Sequence, residues 1–472
     1  MAMENSISDS RSLPPAEFKA YSLGYTGSMT LQALVNVLLI NYYTFVLGLN
    51  SLLSALSLTF GLILLSVFSL YFGNASDNAS GSLAQKYGRR RPYIFLSMIP
   101  MAISFVLMWF PPSKPAIFGG VDWVATLWLW VNAAIFDISL AAFSTTYGSM
   151  LPEISHSNEE RMHISIVQNL MNLLATIISI IVPIIFLSGV PSWNDAGQSL
   201  WYGSGSGSAG QGIIFQMIFY SIAFSLLTVV SVTMMVKIVQ EPPASREASQ
   251  KKGFAQVIKG IVVPLRQRNF ALFMGATFAF NITMRILMTD ILIFVGVVLN
   301  LKGIEWFIFG GIACGCGVGA FFAWDKIHKK YGLKRAFELV LGITAIVLFT
   351  VIMFLVNLPD EVRFVVGLIL VSIGVAALIG IMIFPMPIFA ALVDAERVKL
   401  PPEEGMKLAG KYNGVNTFLT NIGQAIANFV YGLIISWLGA NNAVAIIVVL
   451  PISGIFIAVA FFIFHKISLK SE

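Results

Sequence analysis

The sequence predicts an all-α membrane protein: twelve transmembrane helices in two pseudo-symmetric six-helix bundles. Three observations predict it. The 472 residues are 57% hydrophobic and only 11% charged, too little polar surface for a soluble chain of this length. Apolar runs long enough to cross the hydrocarbon core, about 20 residues each, recur twelve times. One loop pattern also occurs twice. The stretch from Gly73 to Pro92 sets Tyr87-Gly88 before Arg89, Arg90 and Arg91, and that from Asp325 to Arg335 sets Tyr331-Gly332 before Lys334 and Arg335. The two tyrosines stand 244 residues apart, close to half the chain, as a duplicated bundle requires.

Taken in order, residues 1–17 are polar and lack the short apolar core of a cleaved leader. Spans one to six follow at 18–48, 53–73, 93–110, 123–151, 162–187 and 212–238. Spans seven to twelve fall at 270–299, 304–324, 336–356, 363–393, 413–438 and 444–466. The loop at 188–211 contains Gly-Ser repeats and reads as a flexible linker, with Trp193, Trp201 and Tyr202 as interface anchors. The longest polar connector, 239–269, carries Lys251, Lys252, Lys259, Arg266 and Arg268 and reads as a surface helix held by anionic lipid. It divides the chain into an N-terminal bundle (1–238) and a C-terminal bundle (270–472). Pro385 and Pro387 should break span ten in its inner half, because a proline removes a donor and displaces the preceding turn.

The cations set the orientation. With the amino end inside, only Lys114, Lys302 and Arg363 lie in external loops and Arg285 within a span, so all other Lys and Arg share the cytoplasmic side. The expected location is the cell membrane, multi-pass, with both termini cytoplasmic. The net charge of +6 is explained by this bias, and no nucleic acid is implied. Cys314 and Cys316, two residues apart inside one span, read as small buried hydrophobes. The four histidines fall at predicted cytosolic edges, so neither a metal site nor a cofactor is expected.

Three ionisable residues lie well inside spans: Asp137, Arg285 and Asp290. Each charge costs about 2.5–3.5 kcal/mol at mid-bilayer and therefore calls for a partner or a wet cavity. Asp137 and Arg285 sit at equal depth, halfway along spans four and seven. At about 100° per residue, Tyr21, Tyr25, Ser28, Gln32 and Asn36 share one face of span one, and Ser165, Gln168, Asn169, Asn172 and Thr176 one face of span five. Span eleven carries the longest row: Asn413, Asn416, Thr417, Thr420, Asn421, Gln424, Asn428 and Tyr431. On span seven Asn281, Arg285 and Thr289 share a face, and Asp290 points elsewhere. A single such amide is often helix glue worth about 0.6 kcal/mol. The assembled set suits a path for a neutral polyhydroxylated solute, since amides donate and accept at each hydroxyl. Tyr25, Tyr42 and Tyr43 are candidates to stack on a sugar ring.

Asp77-Asn-Ala-Ser-Gly81 followed by Tyr87-Gly-Arg-Arg-Arg-Pro92 resembles a loop of the glycoside–pentoside–hexuronide cation symporters. It is also similar to that of the sucrose–proton symporters, and both groups belong to the major facilitator superfamily. Tyr147-Gly-Ser-Met-Leu-Pro-Glu153 with Arg161, and Asn41-Tyr-Tyr-Thr-Phe-Val-Leu-Gly48, are similar to the exits of that family's spans four and one. The resemblance implies a central cavity lined mainly by spans one, four, seven and ten, with five, eight and eleven contributing. Asp137 and Arg285 would meet there. It further implies a cation site or cytoplasmic gate at Asp77, with Arg89, Arg90 and Arg91 latching the bundles. Where melibiose-type carriers place further acids this chain has Met29, Gly73 and Ser144, and Asn421 where they place a lysine. A single deep carboxylate couples protons more readily than sodium.

The expectation is a secondary active transporter, a proton-coupled symporter of a sugar or glycoside working by alternating access as a monomer in the lipid bilayer. Solute binding falls to Gln32, Asn36, Asn172, Asn281, Arg285, Asn421 and Gln424, and proton coupling to Asp137, Arg285 and Asp290. Two alternatives stay open: a carrier of an amphipathic lipid or organic anion anchored by Arg285, and a nontransporting membrane sensor. An enzyme is not expected, because no Ser–His pairing or metal cluster lies within the spans.

Overall fold

The computed structural model describes residues 14–77, 82–154, 209–239, 264–301, 303–397, 402–440 and 442–468, with scattered positions at 79, 164–181 and 241. Span one is Pro15–Leu34 continued by the π-helical segments Val35–Leu39 and Tyr42–Val46. Spans two, three, four and six are Ser51–Asp77, Arg91–Met108, Trp123–Ile154 and Ala209–Ile238. Span seven is Arg268–Ile293 with π-helical Phe294–Val298; span eight is Glu305–Tyr331; span nine is Leu333–Thr350 with the 3-10 segment Val351–Leu355. Span ten is Asp360–Ile383 and Pro385–Arg397, span eleven Pro402–Leu438 and span twelve Ala443–His465. Among the described residues ten helices are long and apolar enough to cross a membrane. Most of span five, the Gly-Ser loop with Trp193, Trp201 and Tyr202, and most of the 239–269 connector lie outside the described residues.

Spans eight and eleven run further at their basic ends than their apolar runs predict, to Tyr331 and from Pro402. A helix satisfies its own backbone wherever it lies, so it need not stop where the hydrocarbon does. At span eight the extra turns carry Lys326, Lys329 and Lys330 into water. Span ten breaks as its prolines require. Pro385 opens the second segment at its first position, where no amide hydrogen is needed, after Phe384 N–H has closed the first on Gly380 O at 3.2 Å.

The duplication is visible in packing. Span two packs on four as eight packs on ten, and one on six as seven packs on twelve. Spans three and four pair as nine and ten do, and three and six as nine and twelve do. The first helix of each half also ends alike. Tyr42–Val46 and Phe294–Val298 are both π-helical, and each is followed by a left-handed residue, Gly48 (φ 73°) and Asn300 (φ 54°). Large apolar side chains such as Leu96, Ile103, Phe219, Leu226 and Phe462 are exposed on the outside of the bundles, as a lipid-facing surface demands.

The end of the molecule carrying Arg89, Arg90 and Arg91 is called here the basic face, and the opposite end the far face. At the basic face Glu241, just past span six, accepts backbone N–H bonds from Arg90 (2.9 and 3.1 Å) and Arg91 (3.2 Å). A carboxylate there caps the N-terminus of span three. Gly88 makes it possible: its φ is 91° and a β-carbon would strike Glu241. The guanidinium groups reach on to close neighbouring helices, Arg90 to Ser149 O on span four and Arg91 to Val236 O on span six. At the far face Gly119 N–H donates to Gly48 O (2.8 Å) and Asn50 N–H to Gly120 O (3.0 Å), joining the two loops of the first bundle.

Candidate functional site

Many polar groups inside the spans are satisfied locally. Thr26, Thr30, Ser66, Thr146 and Thr344 donate to the carbonyl four residues earlier, and Ser28 to Tyr25 O. These hydroxyls are helix chemistry. What remains is a small set gathered between the bundles.

Asp137 and Arg285 are 6% and 4% exposed, on spans four and seven, and their charges act on one another across the two bundles. They do not hydrogen-bond. Arg285 Nε donates instead to Asn428 Oδ1 on span eleven at 2.8 Å, while its Nη1 is buried without a partner. The Nδ2 groups of Asn428 and Asn421 are likewise buried and unpartnered. Two glycines allow this gathering. Gly61 of span two lies against the Asp137 carboxyl, and Gly423 of span eleven against Phe278 O of span seven, where a β-carbon would approach to 2.9 Å. Close helix approach over a glycine is a recurrent membrane device. Here it brings the polar row of span eleven to Arg285.

The other predicted residues distribute as follows. Gln32, Asn36, Asn281 and Gln424 are half-buried. Asn281 Nδ2 donates to Thr277 O at 2.8 Å, within its own helix. Asn172 and the side chain of Asp77 lie outside the described residues. Arg89 is half-buried at the basic face, and the contacts of Arg90 and Arg91 given above are made within the first bundle.

Asp290 sits nearer the far face, fully buried, with the hydroxyl of Tyr431 beside its carboxyl group. Beside it the bundles are stitched together. Asn41 Nδ2 of span one donates to Thr289 O at 2.6 Å and Tyr431 Oη of span eleven donates to Asn41 Oδ1 at 3.2 Å, while Thr289 Oγ1 donates to Arg285 O of its own helix at 3.0 Å and lies 3.5 Å from Asn36 O. Thr59 Oγ1 of span two shares its proton between Ala55 O of its own helix (2.8 Å) and Ala425 O of span eleven (3.1 Å), and Gly432 lies flat against Ala55 and Ser51.

Two readings need correction. Tyr42 and Tyr43 do not face a solute path: their hydroxyls donate to Trp109 O (3.1 Å) and Met108 O (2.8 Å), and both rings are buried in the first bundle. They lie in the π-helical stretch, where each extra residue rotates the side chains off a regular helical wheel. Tyr25 does face a ring, that of Tyr147 at 5.3 Å, in a stack with Tyr21 (4.2 Å from Tyr147). Cys316 is exposed rather than buried, whereas Cys314 lines an apolar cavity of about 320 Å³ among spans seven, eight and ten. Sequence reasoning passed over Gly61 and Glu241. It placed Asn428 in the polar row of span eleven without singling it out.

Two helical bundles in a membrane, with an acid and a base buried opposite one another between them, define the architecture of a solute carrier. The chain belongs to the MFS/sugar transport protein family, whose model matches residues 20–468. It is thus a multi-pass membrane transporter of the major facilitator superfamily and not an enzyme. An uncharacterized symporter of Synechocystis sp. is 23% identical over 172 residues, which is 36% of this chain and only 31% of that relative's length. Among solved structures, a D-xylose–proton symporter matches with TM-score 0.60 and 15% identity over 97% of this chain and 98% of that one. A bacterial homologue of the human lysosomal transporter Spinster, inward-facing and unoccupied, matches at 0.59 and 12% over 96% and 98%. The nucleoside transporter NupG matches at 0.58 and 12% over 97% and 100%. At these identities the likeness is one of fold.

Proposed function

We propose that the protein is a proton-coupled symporter of a sugar or glycoside, working in the cell membrane with its basic face and both termini in the cytoplasm. The observation that carries this reading is the state of Arg285. Its charge faces Asp137, its Nε is held by Asn428, and its Nη1 is a buried donor without an acceptor. A buried donor left unmade costs about 1–3 kcal/mol, a cost recovered when a solute hydroxyl supplies the acceptor. The unpartnered amides of Asn421 and Asn428 offer further donors, and Gln32, Asn36, Asn281 and Gln424 both donate and accept. Asp137 carries the proton, and solute seated at Arg285 alters the field that Asp137 experiences, which links the two loads. The two halves rock about this midplane site. The domain division at 239–269, and the gate of Asp77 with Arg89, Arg90 and Arg91, belong to the same reading.

The test is uptake by proteoliposomes from a panel of mono- and disaccharides. An imposed proton gradient should concentrate one of them without sodium. Accumulation driven by sodium alone, or no sugar taken up at all, would contradict the reading.

A second reading rests on the apolar cavity lined by Leu287, Met288, Trp306, Phe309, Cys314 and Val318. It begins on the same helix as Arg285 and would suit the tail of an amphipathic lipid or organic anion whose head reaches that residue. Arg285→Gln separates the two: an anionic cargo would lose most of its affinity, a sugar chiefly its coupling.

A further inference from the structure

Asp290, which the sequence assigns to proton coupling beside Asp137 and Arg285, lies apart from that pair, and the cycle proposed above assigns it no step. It is 0% exposed, its carboxyl group faces the Tyr431 hydroxyl, whose proton goes to Asn41, and it adjoins the contacts that close the far face. Thr289, its neighbour in the chain, accepts from Asn41 through its backbone carbonyl; Tyr431, whose hydroxyl faces the Asp290 carboxyl, donates to Asn41. The polar stitch between spans one, seven and eleven is therefore built around a carboxyl group.

The charges that could compensate it are few. Span eleven brings Tyr431, and span one brings the neutral amide of Asn41. On its own helix Arg285 lies five residues back toward the basic face and is engaged by Asn428. Residues 30–47, 51–65, 420–438 and 443–455, the far halves of spans one, two, eleven and twelve, contain no Lys, Arg, His, Asp or Glu. Among the described residues, a carboxylate ion sealed there could draw only on the Tyr431 hydroxyl, at the cost of its bond to Asn41, whereas the neutral acid leaves that bond intact and can itself donate.

We propose that Asp290 is a second proton-binding residue, and that the far gate closes only over its protonated form. This inference rests on the orientation and alternating access proposed above. When the far side is open, Asp290 is reached from outside water and takes an external proton. The neutral group then enters the seal, where its O–H can donate to Tyr431 Oη and extend the chain of bonds through Asn41 to Thr289. Without the proton the gate stays ajar, so a carrier not loaded from outside does not turn inward.

The experiment uses the full chain in lipid nanodiscs, with Cys314 and Cys316 replaced by serine. Nitroxide labels are placed at Ile117→Cys and Trp437→Cys, exposed far-face positions of the two bundles (75% and 83%). Pulsed distance measurements compare acidic with alkaline buffer and no solute. The original background should show one short distance in acid and a longer population growing severalfold in alkali. Asp290→Asn should stay short in both, and Tyr431→Phe, which keeps the ring, should show the long population already in acid. Asp137→Asn should respond to pH as the background does. A background with no response to pH, or Asp290→Asn opening with pH as the background does, would overturn the proposal. Because no solute is present, failure to transport sugar would refute the transport reading and leave this result standing.

Discussion

Gly61 of span two lies so close to the carboxyl of Asp137 on span four that a β-carbon at position 61 would overlap Oδ2. The overlapping atom is the tip of a side chain and not backbone, so the conflict is resolved by moving the acid rather than the helices. Gly61→Ala should therefore cost little stability, under about 1 kcal/mol, while reducing concentrative uptake at least severalfold. Thermal unfolding and uptake measured on the same preparation check this pairing. Equal losses in both would mean that the glycine serves packing alone.

Asn428 is the acceptor that holds the Arg285 guanidinium in place. Asn428→Leu removes it and strands a second buried donor beside Nη1, at a cost of about 1–3 kcal/mol. Unfolding temperature should fall and solute affinity with it. Asn428→Asp, which supplies a rival carboxylate to Asp137, should keep the fold but uncouple uptake from the proton gradient. Counterflow and accumulation assays distinguish the two outcomes.

The fold was legible in the sequence because a membrane reduces the question to where apolar runs begin and end, and twelve such runs are hard to miss. Asp137 and Arg285 were conspicuous for the same reason, since charges at mid-depth are costly, but their depth only permitted a pair; that the two meet was implied by the family resemblance. Their actual partners were not legible. Arg285 bonds a residue 143 positions away, and only packing decides which of the eight polar groups on span eleven it meets. Gly61 carries no signal, being one glycine among 39. Residue type alone made Tyr42 and Tyr43 candidates for stacking, and type does not say which way a ring points; both hydroxyls are held inside the first bundle. Glu241 had a faint signal, the first acid after a long apolar run, directly before Pro242 and Pro243.

Glu241 caps span three through backbone bonds to Arg90 and Arg91. Glu241→Ala should destabilise the protein by about 0.5–2 kcal/mol, and Gly88→Ala should do so as well, since its left-handed backbone admits no side chain beside that carboxylate. Both losses should appear in the unfolding temperature of detergent-solubilised protein. A Gly88→Ala variant as stable as the parent would exclude the contact.

Gly432 lets span eleven lie flat on Ala55 and Ser51 at the far face. A valine there forces the helices apart, with overpacking worth about 1–3 kcal/mol set against the closed arrangement. Gly432→Val should make a cysteine at position 421 react with an impermeant thiol reagent added from outside, and should slow uptake severalfold. An unchanged labelling rate would show that this contact does not hold the far gate.

The central claim is that Asp137 carries the proton whose movement drives the solute. The most direct measurement compares Asp137→Asn with the parent in proteoliposomes, in two modes. Exchange of labelled for unlabelled solute at equal concentration should persist, while accumulation against a gradient under an imposed pH difference should vanish. Concentrative uptake that survives the substitution unaltered would contradict the account.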